Sequence, residues 1–255
     1  MSETRKGVRL ALSPARKMVG ELMHHAGKVP TIPLSRGLNV AGLADARRPC
    51  TPPPSWMAIF VRAYGLLSVR HAVLRRAYMR WPIPHLYEHP VSECAVIVER
   101  EWRGEAVTLG AKIRQPETMA VHTISEHLRR FREAPLESIS AFRQILRLGR
   151  LPWPIRRFGF WQTLNWSGAK RAKRFGTFMA SSLGTLGVHQ EHPIAPFTTH
   201  FSFGPIAADG AVTARIVYDH RVTDGRTIGR CLADLQNVLD NELLSELRGL
   251  ARRAA

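Results

Sequence analysis

Residues 55–69, Ser-Trp-Met-Ala-Ile-Phe-Val-Arg-Ala-Tyr-Gly-Leu-Leu-Ser-Val, read as a helix that is apolar almost all the way round. Ser55 supplies an N-cap, and the Pro-Cys-Thr-Pro-Pro-Pro loop (49–54) ends just before it. A helix without a polar face has no solvent side, so the rest of the chain must pack around it. The chain has 255 residues, 45% of them hydrophobic, which is enough for one substantial core. Arg62 breaks the apolar run, which falls short of the ~20 residues that cross a bilayer. The leading Met-Ser-Glu-Thr-Arg-Lys (1–6) is charged and is not followed by a signal-peptide apolar region. A soluble, cytoplasmic protein is expected.

The other elements follow from caps and periodicity. Ser13-Pro14 opens a helix with Met18, Leu22 and Ala26 on one stripe, closed by Gly27. Residues 29–40 are extended. Residues 93–100 and 105–113 read as strands, with Arg103-Gly104 at a turn. Pro116 starts an amphipathic helix with Val121, Ile124, Leu128 and Phe131 on one face, and 136–148 is a further helical stretch. Residues 177–182, 198–203 and 212–218 are strands. A last helix after Gly225 places Ile228, Leu232, Leu235, Leu239 and Leu243 on one stripe. No repeat or linker divides the chain, so 1–255 is expected to be a single α/β (α+β) domain with a mixed sheet flanked by helices.

The sequence excludes several function classes. The three cysteines, Cys50, Cys94 and Cys231, form no C-x-x-C pair, which argues against a disulfide framework or a structural zinc. His189, His192 and His200 lack ligand spacing, His122 and His127 do not share a helical face, and His24-His25 reads as helix surface, so no metal site is expected. No glycine-rich phosphate loop is present. Net charge is +17, which draws a protein toward polyanions. Between Ser138 and Gln190 there is no Asp or Glu, while Arg143, Arg147, Arg150, Arg156, Arg157, Lys170, Arg171, Lys173 and Arg174 fall there.

Tyr-Asp-His-Arg-Val-Thr-Asp-Gly (218–225) carries the chemistry. A strand ends at His220, an Asp-Gly turn follows, and a helix begins, so the imidazole stands at the rim of a sheet. Histidine titrates where a general base is needed near neutral pH. Asp224 either braces this loop or simply caps the last helix.

The segment 219–225 resembles the Asp-His-Arg-Val-x-Asp-Gly motif of the acyltransferase subunit of 2-oxo acid dehydrogenase complexes, within the chloramphenicol acetyltransferase-like superfamily. Upstream, Gly-Thr-Phe-Met-Ala-Ser-Ser-Leu-Gly (176–184) is similar to the same family's Gly-Thr-Phe-x-x-Ser-x-Leu-Gly strand. The resemblance implies an acyltransferase in which His220 takes a proton from a thiol, hydroxyl or amine as it attacks an acyl thioester. Ser181 (or its neighbour Ser182) would donate to the oxyanion, and Asp224 would hold the loop. It implies coenzyme A as the acyl carrier, and a homotrimer whose active sites combine the histidine of one subunit with the serine strand of the next. With no lipoyl domain ahead of these motifs, a stand-alone enzyme is expected, using acyl-CoA or an acyl group on the phosphopantetheine of a carrier protein.

The stretch 137–174 is longer than the family's link, and the span from Ser181 to His220 is shorter. This basic and aromatic insert fits an anionic membrane surface, the phosphates of CoA or an acidic carrier protein; nucleic acid is not expected. The plainest alternative is a lid whose aromatics pack on the core while its arginines face water. The rival to an enzyme is a non-catalytic oligomeric scaffold or membrane-surface adaptor of the same fold.

Overall fold

The computed structural model describes residues 7–254; the charged leader 1–6 lies outside the described residues. In chain order the elements are α1 (Pro14–Ala26), β1 (Thr31–Asn39), α2 (Ala41–Arg47), α3 (Trp56–Arg70), β2 (Arg76–Met79), β3 (His85–Glu88), β4 (Glu93–Trp102) and β5 (Glu105–Arg114). Then come α4 (Val121–Glu133), α5 (Ser140–Gly149), α6 (Trp153–Asn165), α7 (Gly168–Phe175), β6 (Phe178–Ser181), β7 (Thr199–Phe203), β8 (Ala211–Asp219), α8 (Gly225–Val238) and α9 (Leu244–Ala254).

Six strands form a mixed sheet in the order β1-β8-β7-β6-β4-β5. The central pairs β4–β6 and β6–β7 are parallel and the outer pairs antiparallel. β2 and β3 form a separate hairpin.

The apolar helix α3 lies where its composition requires. Ile59, Phe60, Val61, Tyr64 and Leu67 are fully buried, and Phe60 and Tyr64 pack on Phe178, Phe201 and Phe203 of the sheet. Ser55 accepts from the Ala58 amide as its cap. Its one charge before the last turn, Arg62, is tolerated because the guanidinium donates to Glu246 and to the carbonyls of Pro116 and Glu117.

The stripe expected on the final helix, Ile228, Leu232, Leu235, Leu239 and Leu243, is buried throughout, and a π-turn at Leu239–Leu243 carries it on to Leu247. Three expectations need correction. The helix expected from Pro116 begins at Val121, because residues 116–117 cross α3 at Gly65, where a Cβ would come within 2.7 Å of the Glu117 amide nitrogen. His25 is buried under α6 rather than on the surface, its ring stacked on Phe160.

The insert departs in part from a simple lid. Phe160 packs inward and Arg143, Arg147, Arg150 and Arg174 face water, but Arg156 and Arg171 are buried and Trp153, Phe158 and Trp166 are exposed. Arg156 and Arg157 converge on Glu21, itself buried, and Arg171 donates to the carbonyls of Tyr78 and Pro196. Burial lowers Arg171 to about 10 while nearby Asp219 opposes the shift. The guanidinium forks find enough acceptors to go inside, and a surface already covered by α1 leaves the large rings no interior to fill.

Candidate active site

The helix-covered face of the central strands is apolar, with Phe178 and Ala180 on β6, Phe201 and Phe203 on β7, and Ala214, Ile216 and Tyr218 on β8. The opposite face carries Ser181, His200, Ser202, Arg215 and Asp219, all buried. Strand alternation therefore sorts packing residues from polar ones.

The start of β6 explains the Gly-Thr-Phe string. Gly176 adopts φ +101°, and a Cβ there would meet the Glu93 carbonyl at 2.7 Å. The Thr177 amide donates to Glu93 O, and its hydroxyl accepts from the Glu93 amide at 2.9 Å. Phe178 then enters the core against Tyr64. Three residues later Ser181, 7% exposed, falls on the polar face.

The Ser181 hydroxyl donates to Gln190 Oε1 at 2.5 Å and lies 2.7 Å from His200 Nε2. Gln190 and His200 thus flank the hydroxyl, both within hydrogen-bond distance. The other ring nitrogen, Nδ1, is buried without a hydrogen-bond partner. Burial lowers His200 to about 4, so the ring is neutral. Arg215 holds the covering segment, donating to the Gln190 carbonyl, to Glu191 and to Ser35. Ser182 donates instead to the Phe203 carbonyl and accepts from the Gly184 amide, so its hydroxyl is occupied in a turn.

The second motif lies at the far end of β8. The His220 amide donates to Pro30 O, and its side chain is exposed at the rim. Asp219, fully buried, accepts from the Arg221 amide and from its guanidinium at 2.9 and 2.7 Å, which explains the Asp-His-Arg order: the outer two residues clamp each other and turn the middle one out. Nδ1 of His220 lies 2.9 Å from the Thr223 carbonyl, which can only accept. Nδ1 therefore carries the proton and Nε2 presents its lone pair. Asp224 caps α8 by accepting from the Thr227 amide at 2.8 Å. That backbone bond holds its carboxyl below the usual range, and nearby His220 acts in the same direction.

The structure brings His220 and Asp224 together but not His220 and Ser181. Ser181 is level with Ser202 and hence with Arg215. His220 lies five residues beyond Arg215, about 17 Å further along the sheet at strand rise. Of the residues found at Ser181 instead, His200 is weighed from sequence only as a metal ligand, and Gln190 not at all. The signal was available for His200: it alternates in phase with Ser202 on β7, and so faces the same side as the serine. Gln190 sits in an irregular segment, where sequence carries no such phase.

His192 goes to Thr31 at 2.9 Å, away from His200, and among the described residues no group of three His, Cys, Asp or Glu is placed to hold a metal ion. Cys50, Cys94 and Cys231 are free and buried.

No protein-family model and no curated protein matches the chain. Solved structures do. An Azotobacter vinelandii dihydrolipoamide acetyltransferase, studied for the role of a serine, a histidine and an asparagine in its catalytic mechanism, superposes with a TM-score of 0.68 at 15% identity, over 94% of this chain and 93% of that one. The cubic core of the pyruvate dehydrogenase multienzyme complex gives 0.63 at 14% identity, over 94% and 93%. A chloramphenicol acetyltransferase gives 0.51 at 10% identity, over 90% and 96%. The chain has the chloramphenicol acetyltransferase-like fold of these acyltransferase cores.

Proposed function

We propose that the whole chain is one catalytic unit, an acyltransferase that moves an acyl group from a CoA thioester, or from phosphopantetheine on a carrier protein, to a thiol, hydroxyl or amine. The observation that carries this reading is the Nδ1–H to Thr223 contact at 2.9 Å, which leaves His220 Nε2 bare at the end of β8. His220 Nε2 takes the proton of the acceptor as the acceptor atom bonds to the thioester carbon. The carbonyl electrons move onto oxygen. Collapse of that tetrahedral oxyanion breaks the carbon–sulfur bond, and the departing thiolate takes the proton back from His220. The Thr223 carbonyl stabilises the transient imidazolium, and Asp224 keeps the loop wound onto α8.

Ser181 donates to the oxyanion. In the resting chain Gln190 Oε1 occupies the acceptor position, so the substrate oxygen replaces it. His200 Nε2, 2.7 Å away, holds Oγ in place for that bond. Since Ser181 and His220 stand far apart along one sheet, the active site is shared between subunits of a homotrimer. The catalytic roles studied for a serine and a histidine in the Azotobacter enzyme support the pairing of the two groups, and the cubic pyruvate dehydrogenase core supports assembly. The basic segment α5–α7 supplies a place for an anionic partner, a carrier protein or a membrane surface.

Acyl transfer from CoA thioesters by wild type and His220→Ala tests the reading. Loss of about 10²–10⁴ in rate is expected, and equal activity in both removes the assignment. A second reading, a non-catalytic scaffold or membrane adaptor, is favoured by one observation: Ser181 is already engaged and covered within its own chain. Lack of CoA binding combined with tight liposome association would favour it.

A further inference from the structure

The acyl-transfer chemistry leaves one large surface unused. Helix α6 carries apolar side chains on both its buried and its exposed sides. Its inner face holds Phe160 and Leu164 against Met18, with Arg156 on Glu21. Away from that face it presents Ile155 and Phe158, 59% and 60% exposed, with Trp161 stacked beside Phe158, while Trp153, 57% exposed in the first turn, stands on the side of the groove toward α1. Trp166 and Trp81, exposed and 6.0 Å apart between ring centres, close the other end of the helix. Large rings on two successive turns of one exposed helix are costly to leave in water.

The charges around this face are of one sign. Between α1 and α6 runs an open groove of about 430 Å³, with His24 and Lys28 on the α1 side and Trp153, Arg157, Phe158 and Trp161 on the α6 side. Arg157 lies over the Trp153 ring at 5.3 Å. The nearest carboxylate, Glu21, is buried and committed to Arg156 and Arg157, and the sequence has no other acid from 138 to 190. Among the described residues no helix is long and apolar enough to cross a membrane. A helix lying flat, apolar outward, with tryptophans at both ends and cations along its edge, has the chemistry of the lipid headgroup–acyl boundary.

We infer that the outer face of α6 is a docking surface for an anionic lipid bilayer. The rings insert at headgroup depth, and lipid phosphates lie in the groove on Lys28 and Arg157. The surface is independent of the acyl-transfer assignment and stands if that assignment fails.

The full chain is sedimented with vesicles of phosphatidylglycerol and phosphatidylcholine, and with vesicles of phosphatidylcholine alone. Wild type is expected to partition onto the anionic vesicles with a blue shift of tryptophan fluorescence, less so as salt rises, and weakly onto the neutral ones. The double variant Ile155→Ser/Phe158→Ser is expected to lose at least about tenfold in partition, the removal of two apolar anchors. Lys28→Glu, a separate exposed change, is expected to lose binding to anionic vesicles only. No partition of wild type onto anionic vesicles, or no change in either variant, overturns the inference. So does a double variant whose free assembly becomes smaller, since the face would then join two copies. A double variant that binds vesicles normally but has a raised KM for a carrier-protein donor overturns it in favour of that protein.

Discussion

Ser181 Oγ and His200 Nε2 lie 2.7 Å apart on adjacent parallel strands, so the proposed oxyanion donor is held by a neutral, buried histidine of its own chain. This contact fixes the serine rotamer before any substrate arrives. Ser181→Ala is expected to lower kcat by about 10²–10³ with little change in KM. His200→Phe removes the ring nitrogen that holds the hydroxyl but keeps the hydroxyl itself, and is expected to lower kcat about tenfold through the same network. Steady-state kinetics on a CoA thioester separates the two; a rise in KM alone for both would assign the pair to packing.

His220 and Ser181 are proposed to act across a subunit boundary. Mixing His220→Ala with Ser181→Ala chains is then expected to restore activity, because random mixing pairs an intact histidine with an intact serine at about one quarter of sites in a cyclic trimer. Refolding the two inactive variants together and assaying acyl transfer checks this. No recovery would place both groups in one subunit.

His200 and His25 are both held neutral, each lowered by burial to about 4. Below the unfolded-state value of 6.5 the unfolded chain binds more protons than the folded one. Stability is therefore full above pH 6.5 and is lost as pH falls through the folded value near 4, His200 alone costing on the order of 3 kcal/mol by then. Denaturant melts between pH 7 and 4 should show the decline, and His200→Phe should flatten it.

Glu21 is the single carboxylate receiving Arg156 and Arg157. Glu21→Ala leaves the Arg156 charge buried and unpaired, at an expected loss of about 3–5 kcal/mol. Limited proteolysis should then cut first around α6, whose attachment to α1 depends on this pair.

Asp224 caps α8 through the Thr227 amide. Asp224→Ala is expected to cost about 1 kcal/mol in urea melts. Asp224→Asn, which keeps an accepting oxygen, should retain most of that stability and most of the activity.

Much of this architecture was legible from local patterns. Ser13 and Ser55 cap α1 and α3 as expected, and the strands at 93–102, 105–114 and 211–219 follow alternating apolar residues closed by turns. The two motifs lie at the end of β8 and on β6, where the sequence puts them. Helix α2 and the β2–β3 hairpin were not anticipated, since short elements with mixed polarity leave no clear period. The insert misled for another reason. Its composition shows many arginines and many rings, but which of them find partners inside depends on Glu21 and on carbonyls contributed from distant segments.

The longer helices and strands, the buried central helix and the two motif strings are readable from the chain alone, because they rest on periodicities and caps set within a few residues. What faces Ser181, how far it lies from His220, and which side chains of α6 meet solvent come from the folded arrangement. Those are fixed by strand order and by partners more than a hundred residues away in the case of Glu21, and no local pattern encodes the far member of such a pair.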